Sequence, residues 1–217
     1  MRIAVLASGS GTILEAILEK GVDVSLVVTD RPCRAIEVAR TAGVPCLEIP
    51  RPTYGNDFDR DGYSQQVVAV LEDYGVELVA MAGYGTILGA AMHRRFGGRI
   101  LNTHPSLLPS FPGWHAVDSA LEFGVKVTGC TVHLATLEVD SGPILAQEAV
   151  RVFPADDKER LHERIKETER LLYPATIVAY AKYLESGAEG AFDLGKRVVR
   201  NSQGALVFES YEDEKEF

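Results

Sequence analysis

An asparagine and a histidine stand two residues apart at the end of an apolar run, in the segment LNTHPSLLPSFPG at residues 101–113. On an extended segment, residues i and i+2 point to the same side, so Asn102 and His104 present an amide donor and an imidazole together. Such a pair can stabilise a developing oxyanion, and an imidazole can move a proton at neutral pH. The alternative is that both side chains cap a turn, since the segment is rich in Pro and Ser.

A carboxylate that could orient the histidine lies further along the chain. Asp140, in LEVDSGP, falls in a loop between two predicted strands. A carboxylate beside an imidazole favours the protonated ring and fixes its orientation. Asn102, His104 and Asp140 are therefore candidates for one proton-transfer and oxyanion site, although the spacing alone does not establish that Asp140 meets His104.

A glycine-rich loop, SGSGT at Ser8 to Thr12, joins the first predicted strand to the start of a helix. Glycines let the backbone approach an anion, and the helix amides supply donors. The Walker pattern is excluded because GK[ST] is absent, and the dinucleotide pattern is half met, since Leu14 replaces the third glycine. Three interpretations stay open: a turn capped by Ser10 or Thr12, a site for one phosphate, or an NAD site in which Asp30 binds the ribose.

The elements that must position these residues are apolar runs alternating with helical patterns. Strands are predicted over 2–7, 22–30, 44–49, 76–83, 99–104, 126–136 and 142–152, with helices near 13–21, 35–43, 63–74, 89–96, 114–124 and 156–187 and a small hairpin after them. This alternation predicts an α/β fold: a single-domain, Rossmann-like, open mixed sheet, mostly parallel with an antiparallel C-terminal part. Ligands bind beyond the carboxyl ends of strands in such sheets, so the three loops after residues 7, 83 and 104 should line one crevice.

Composition limits the class of protein further. The 217 residues are 46% hydrophobic and 24% charged, which predicts one globular domain, with a core over 1–187 and a hairpin and acidic tail over 188–217. The net charge of −9 argues against nucleic-acid partners, and no apolar run reaches the roughly 20 residues of a membrane span. Cys33, Cys46 and Cys130 are widely spaced without a CxxC pair, which indicates free thiols in a reducing cytoplasm and no structural zinc.

Four motifs together resemble one family, the folate-dependent formyltransferases. They are SGSGT, NTHPSLLPSFPG, VHLATLEVDSGPIL and ERLLYP (169–174), and the resemblance covers residues 1 to about 180, closest to the branch that formylates glycinamide ribonucleotide in purine synthesis. It implies 10-formyltetrahydrofolate as cosubstrate, small-molecule partners only, no metal, and a cytoplasmic monomer or homodimer. Relatives that formylate tRNA carry an extra C-terminal domain and deformylases an extra N-terminal one, and we expect neither in this chain.

The resemblance implies a role for each matching position. The catalytic set falls on Asn102, His104 and Asp140. The ribonucleotide phosphate would bind the amides of Gly11, Thr12 and Ile13, and the rest of the ribonucleotide would contact Lys166, Glu167, Thr168 and Glu169. The folate would contact Arg60, Gly85, Thr86, Ile87, Leu88, Asn102, Thr136, Leu137, Glu138, Val139 and Asp140.

The chain departs from the family's pattern at two places. Ile13 stands where Asn is usual, which matters only if the Asn side chain contributes to phosphate binding. GYGTIL replaces the commoner GFMRIL, so Gly85 and Thr86 occupy the Met and Arg positions and alter the folate pocket.

Without the resemblance, two of these residues have ordinary interpretations. Arg60 is then a surface ion-pair residue in the acidic loop DFDRDG, and Glu169 a solvated charge that a bend at Tyr173–Pro174 could turn inward. Three competing functions also stay open: an NAD-dependent oxidoreductase based on Gly9, Gly11 and Asp30, a 10-formyltetrahydrofolate hydrolase, and a noncatalytic folate or phosphate binder.

Overall fold

A computed structural model describes residues 1–55 and 57–210, so the predicted acidic tail at 211–217 lies outside the described residues. The elements in chain order are β1 (Ile3–Ala7), α1 (Thr12–Glu19), β2 (Val24–Thr29), α2 (Arg34–Thr41), β3 (Cys46–Glu48), α3 (Arg60–Asp73), β4 (Leu78–Ala82), α4 (Ala90–Phe96), β5 (Ile100–His104), α5 (Ala116–Glu122), β6 (Val127–Leu134), β7 (Ile144–Arg151), α6 (Lys158–Ser186), β8 (Lys196–Arg200) and β9 (Leu206–Ser210).

Seven strands form a mixed sheet in the order β3-β2-β1-β4-β5-β6-β7, and β8 pairs with β9 in a separate hairpin. The strands β1 to β5 pair in parallel, whereas β6 and β7 are antiparallel. All five residues of β1 are buried, as expected of a parallel strand covered on both faces. The predicted fold, a mostly parallel α/β sheet with an antiparallel part near the C-terminus, is confirmed.

The chain divides into two compact units, each described by itself. The first contains residues 1–102 and 134–142, and the second contains 103–133 and the described residues from 143 onward. The sequence patterns predict one domain over 1–217, and this stays a prediction. Among the described residues, no helix combines the length and the apolar character needed to cross a bilayer.

The core of the first unit places the loops at the carboxyl ends of its strands. Leu6 and Leu26 of the sheet pack with Met92 and Phe96 of α4, and each is fully buried. Burying side chains of this size contributes about 1.5–3 kcal/mol each. The start of α4 is also held by α3, because the Gly89 amide donates to Ser64 Oγ at 2.7 Å.

In the second unit, one long helix covers the antiparallel strand pair. The buried face of α6 includes Leu161, Ile165, Leu172 and Ile177. Asp157 caps the helix by accepting from the Arg160 amide at 2.8 Å. The hairpin of β8 and β9 is confirmed, and its turn lies between Arg200 and Leu206.

One sequence expectation about the helices is wrong. The helix α3 begins at Arg60, three residues earlier than predicted, because the Asp59 side chain accepts from the Gly62 amide at 2.9 Å and caps the first turn. Arg60 therefore lies on a helix rather than in a loop. The helix α6 continues through Pro174, and Glu169 lies on its buried face at helical spacing from Ile165 and Leu172.

Candidate active site

The glycine-rich loop leaves β1 and ends in a left-handed glycine. Gly11 is the N-cap of α1 with φ of 73°, and a Cβ there would lie 3.0 Å from Ala35 Cα. Both the backbone conformation and the close approach of α2 require glycine. No side chain of the described residues caps α1, so the interpretation with Ser10 or Thr12 as the cap is wrong. The first amides of α1 are left as potential anion donors.

The Ile13 side chain points into the core and is 8% exposed. It replaces a polar residue of the family pattern, but its burial means that only its main-chain amide can reach a ligand. The loop is further held by Arg34, whose guanidinium donates to the Ser10 carbonyl at 2.6 Å and pairs with Glu15. The three amides of Gly11, Thr12 and Ile13 thus remain the predicted phosphate donors.

The segment 85–88 follows β4 and offers less side-chain surface than the sequence suggests. Thr86 is fully buried and its hydroxyl donates to Asp30 Oδ2 at 2.7 Å, while Leu88 is 3% exposed. Gly85 and Ile87 are partly exposed. The parts of this segment that can contact a ligand are therefore the Ile87 side chain and the main chain.

The Arg60 guanidinium is exposed and, among the described residues, forms no ion pair with the acids around it. Asp59 caps α3, and Asp61 accepts from the Ala91 amide at 2.6 Å and pairs with Arg94 at 3.4 Å. A Cβ on Gly89 would lie 2.9 Å from the Arg60 carbonyl oxygen, so the start of α3 packs against the end of the 85–88 segment. Arg60 is therefore an available cation beside this segment, and the described residues offer no partner for the surface ion-pair interpretation.

The loop 136–140 presents apolar side chains to solvent. Leu137 is 55% exposed and Val139 is 44% exposed, and the Thr136 hydroxyl donates to the Glu138 carbonyl at 2.9 Å. Exposed apolar residues grouped in one loop are typical of ligand-binding surfaces. Asp140 closes the loop and is half-buried with φ of 55°.

The strand β5 carries the Asn–Thr–His sequence at its end. Asn102 is half-buried and pairs in parallel register with Met81 of β4, and it belongs to the first unit together with Asp140. Thr103 and His104 are buried and belong to the second unit. The strand β5 includes all three residues, so the alternation of strand side chains puts Asn102 and His104 on one side of β5 and Thr103 on the other.

The His104 ring is oriented by a main-chain carbonyl. Its Nε2 lies 2.8 Å from the Phe111 carbonyl oxygen, which can only accept, so Nε2 carries a hydrogen. Phe111 has φ of 55°. In the described part of the chain, Phe111 and Asp140 are the two non-glycine residues with positive φ, a conformation that concentrates at functional sites.

The proline-rich loop that carries Phe111 is held by polar side chains of the strand pair. Thr131 Oγ1 donates to the Ser106 carbonyl at 2.7 Å, and Gln147 Nε2 donates to the Leu108 carbonyl at 2.9 Å. Sequence reasoning missed Thr131 and Gln147, which face each other across β6 and β7. Both strands carry other polar residues as well, so residue type alone does not single these two out.

Glu169 is buried and accepts from the Thr103 hydroxyl at 2.6 Å. Burial raises the pKa of the Glu169 carboxyl above its ordinary value, and the Thr103 hydroxyl and the charges of Lys166 and Arg170 oppose this rise. The interpretation of Glu169 as a solvated surface charge is therefore wrong. The sequence did not identify Thr103 as its partner, although Thr103 lies between the two predicted catalytic residues.

The other predicted ribonucleotide contacts are consecutive residues of the helix α6. Thr168 is buried and Lys166 is partly exposed, whereas Glu167 is exposed and pairs with Arg200 of the hairpin at 3.2 Å. Because they occupy consecutive positions, these residues point in different directions. Lys166 is the one cation among the four predicted ribonucleotide residues.

With this geometry established, comparison with known proteins places the chain in a class. Residues 1–177 match the formyl transferase family. The chain belongs to this family. It is 44% identical over 203 residues to the phosphoribosylglycinamide formyltransferase of Mycobacterium tuberculosis, a match that covers 91% of this chain and 93% of that protein.

Further relatives carry corresponding names. The phosphoribosylglycinamide formyltransferase of Bacillus subtilis is 39% identical over 183 residues, covering 81% of this chain and 92% of that protein. Among solved structures, glycinamide ribonucleotide transformylase 1 from Symbiobacterium toebii has a TM-score of 0.78 at 40% identity, and the match covers 95% of this chain and 92% of that one. These relatives support the branch that the sequence motifs indicate.

Proposed function

We propose that this protein transfers the formyl group of 10-formyltetrahydrofolate to the amine of glycinamide ribonucleotide, giving formylglycinamide ribonucleotide and tetrahydrofolate in de novo purine synthesis. The observation that carries the proposal is the end of β5, where Asn102 and His104 share one side of the strand and the His104 ring is fixed by the Phe111 carbonyl. Membership in the formyl transferase family supports this assignment.

The ribonucleotide is assigned to main-chain amides at the start of α1 and to polar and charged side chains of α6. Its phosphate accepts from the amides of Gly11, Thr12 and Ile13 at the start of α1, and its remaining polar groups contact the segment from Lys166 to Glu169. The uncapped start of α1 supports the first contact, since unsatisfied helix amides favour an anion.

The folate lies along apolar and main-chain surface. Ile87 and the exposed Leu137 and Val139 contact its rings, and Arg60 pairs with its glutamate carboxylates. The unpaired state of the Arg60 guanidinium among the described residues supports the ion pair, because no acid there has to be displaced.

The reaction forms a bond between the uncharged amine nitrogen and the formyl carbon, and it breaks the bond between that carbon and the folate nitrogen. Asn102 donates its side-chain amide to the developing oxyanion, and protonated His104 assists from the same side of β5. Asp140 is the third member of the proposed catalytic set. The proton lost by the amine returns to the departing folate nitrogen through His104, directly or by a water. Holding both substrates together supplies much of the acceleration.

We further propose that the protein works in the cytoplasm as a monomer or homodimer. All the residues assigned to the two substrates come from one chain. Cys33, Cys46 and Cys130 are free thiols, in keeping with a reducing compartment. Sedimentation at several concentrations measures the oligomeric state.

A spectroscopic assay tests the function. Tetrahydrofolate release from 10-formyltetrahydrofolate is followed with and without glycinamide ribonucleotide, for the wild type and for His104→Ala. The proposal predicts release that requires the ribonucleotide and collapses in the variant. Release without an acceptor indicates the hydrolase, and binding of both substrates without any release indicates the noncatalytic binder.

A further inference from the structure

One buried acid of the first unit has no part in the proposed chemistry. Asp30 follows β2, and its side chain is fully buried. It accepts from Arg31 Nε at 2.9 Å, from Arg31 Nη2 at 3.0 Å, from the Thr86 hydroxyl at 2.7 Å and from the Ser8 hydroxyl. Burial by itself raises the pKa of Asp30, but these donors outweigh burial and hold the pKa below its ordinary value. The oxygens of Asp30 are thus committed within the protein, which removes the support for an NAD ribose contact.

The partners of Asp30 come from two loops that the sequence separates widely. Ser8 begins the loop after β1, which leads into the amides of Gly11 to Ile13. Thr86 belongs to the segment after β4. The Ser8 hydroxyl also accepts from the Gly85 amide at 2.5 Å, so the main chain of that segment is linked through Ser8 to Asp30. Since β2, β1 and β4 are neighbours in the sheet and run in parallel, their carboxyl ends lie at the same edge.

Arg31 and Gly85 are matched to each other. A Cβ on Gly85 would overlap Arg31 Nη2, so the absence of a side chain at position 85 makes room for the guanidinium that pairs with Asp30. Thr86 supplies the hydroxyl that the same carboxylate accepts. Gly85 and Thr86, the two departures from GFMRIL, therefore both accommodate the Asp30–Arg31 pair: one leaves space for the guanidinium and the other donates to the carboxylate.

We propose that Asp30 is a positioning residue that holds the phosphate-binding loop and the 85–88 segment in register, and so sets the binding geometry of both substrates. It contacts neither substrate and acts through Ser8, Gly85 and Thr86. The inference rests on the proposed function, because that function assigns the ribonucleotide phosphate to one loop and the folate to the other.

Substitutions at Asp30 and at Thr86 separate an effect on both loops from an effect on the 85–88 segment alone. Asp30→Asn directs amide hydrogens toward existing donors and releases both loops, so we expect KM to rise about tenfold for both substrates while kcat changes by less than about threefold. Thr86→Val keeps the shape of the side chain but removes its hydroxyl, and it should raise KM for 10-formyltetrahydrofolate alone. Thr86→Ser keeps the hydroxyl and should restore values near those of the wild type.

A matched control lies in the second unit. The Asp156 side chain is 3% exposed and pairs with Arg164 at 2.7 Å, so Asp156→Asn also breaks a buried acid–arginine pair but touches neither loop. It should leave both KM values unchanged. Thermal unfolding of every variant reports how much stability each substitution costs.

The experiment measures KM and kcat for both substrates, together with calorimetric Kd values for glycinamide ribonucleotide and for tetrahydrofolate. A folded Asp30→Asn protein with unchanged KM and Kd for both ligands overturns the inference, as does an equal rise in Asp156→Asn. If Asp30→Asn does not fold, the comparison of Thr86→Val with Thr86→Ser decides, and equal folate Kd values in these two overturn it. A wild type that binds both ligands without transfer contradicts the proposed function but leaves the Kd comparison valid.

Discussion

At the scale of single residues, the Asn102 side chain is assigned to the developing oxyanion. Replacing it with alanine removes one preorganised donor, and losses of this kind lower turnover about 10²–10³-fold. We expect Asn102→Ala to lower kcat by this factor while the Kd of glycinamide ribonucleotide, measured by calorimetry, changes little. Unchanged kcat in a folded Asn102→Ala protein would remove Asn102 from the mechanism.

The buried carboxyl of Glu169 makes the free energy of unfolding depend on pH. Because burial raises its pKa in the folded state, the folded protein binds more protons than the unfolded chain between the ordinary value of 4.5 and the folded value. This contribution to the free energy of unfolding is fully present below 4.5 and is lost as pH rises through the folded pKa.

The substitution Glu169→Gln removes this titration and keeps an oxygen that can accept from Thr103. We expect the stability of the variant relative to the wild type to increase as pH rises above 4.5. Urea unfolding of both proteins across this range measures the difference. Parallel pH profiles for the two proteins would contradict the account of a buried, titrating Glu169.

At the scale of elements, the turn into α1 depends on Gly11. Alanine there meets two costs, the left-handed φ of 73° and the contact with Ala35 Cα. Gly21, at the other end of α1, has φ of 78° but nothing within 4 Å of its Cβ position, so Gly21→Ala reports the cost of the backbone alone. That cost is about 1–2 kcal/mol.

We therefore expect Gly11→Ala to destabilise the protein by more than Gly21→Ala and also to weaken ribonucleotide binding, because α2 or the loop must shift. Urea unfolding and calorimetry on the two variants measure both effects. Equal losses of stability with equal Kd values would show that the close approach of α2 does not matter.

The elements themselves were largely predictable from periodicity. Continuous apolar runs such as the one containing Leu6 identified the buried strands, because a parallel strand is covered on both faces. The start of α3 was missed because its cap, Asp59, stands in an acidic stretch where a loop was the simpler interpretation. The inward position of Glu169 agrees with its helical spacing from Ile165 and Leu172.

The candidate site was predictable only in part. Asn102 and His104 could be paired from their spacing on a strand. The contact between His104 and the Phe111 carbonyl could not be predicted, because every residue has a main-chain carbonyl and the residue type does not mark this one. The orientation of this carbonyl also depends on a left-handed φ that phenylalanine seldom adopts. The hydrogen bond from Thr86 to Asp30 was also not predictable, because the two residues are 56 positions apart in the sequence.

At the scale of the whole molecule, ligand binding should stabilise the fold. A ligand that binds only the folded state adds about 2.7 kcal/mol at a concentration 100 times its Kd. We expect glycinamide ribonucleotide alone to raise Tm in this way, and NADH at the same concentration to leave Tm unchanged. A rise in Tm with NADH but not with the ribonucleotide would favour the dinucleotide interpretation.

The central claim concerns the fate of one carbon atom. The direct measurement supplies 10-formyltetrahydrofolate with an isotopically labelled formyl carbon, together with glycinamide ribonucleotide and the wild-type protein, and follows the label by NMR. The account predicts that the label moves to the ribonucleotide amine as a formamide, with one tetrahydrofolate formed for each product. Label recovered as free formate, with the ribonucleotide unchanged, would contradict it.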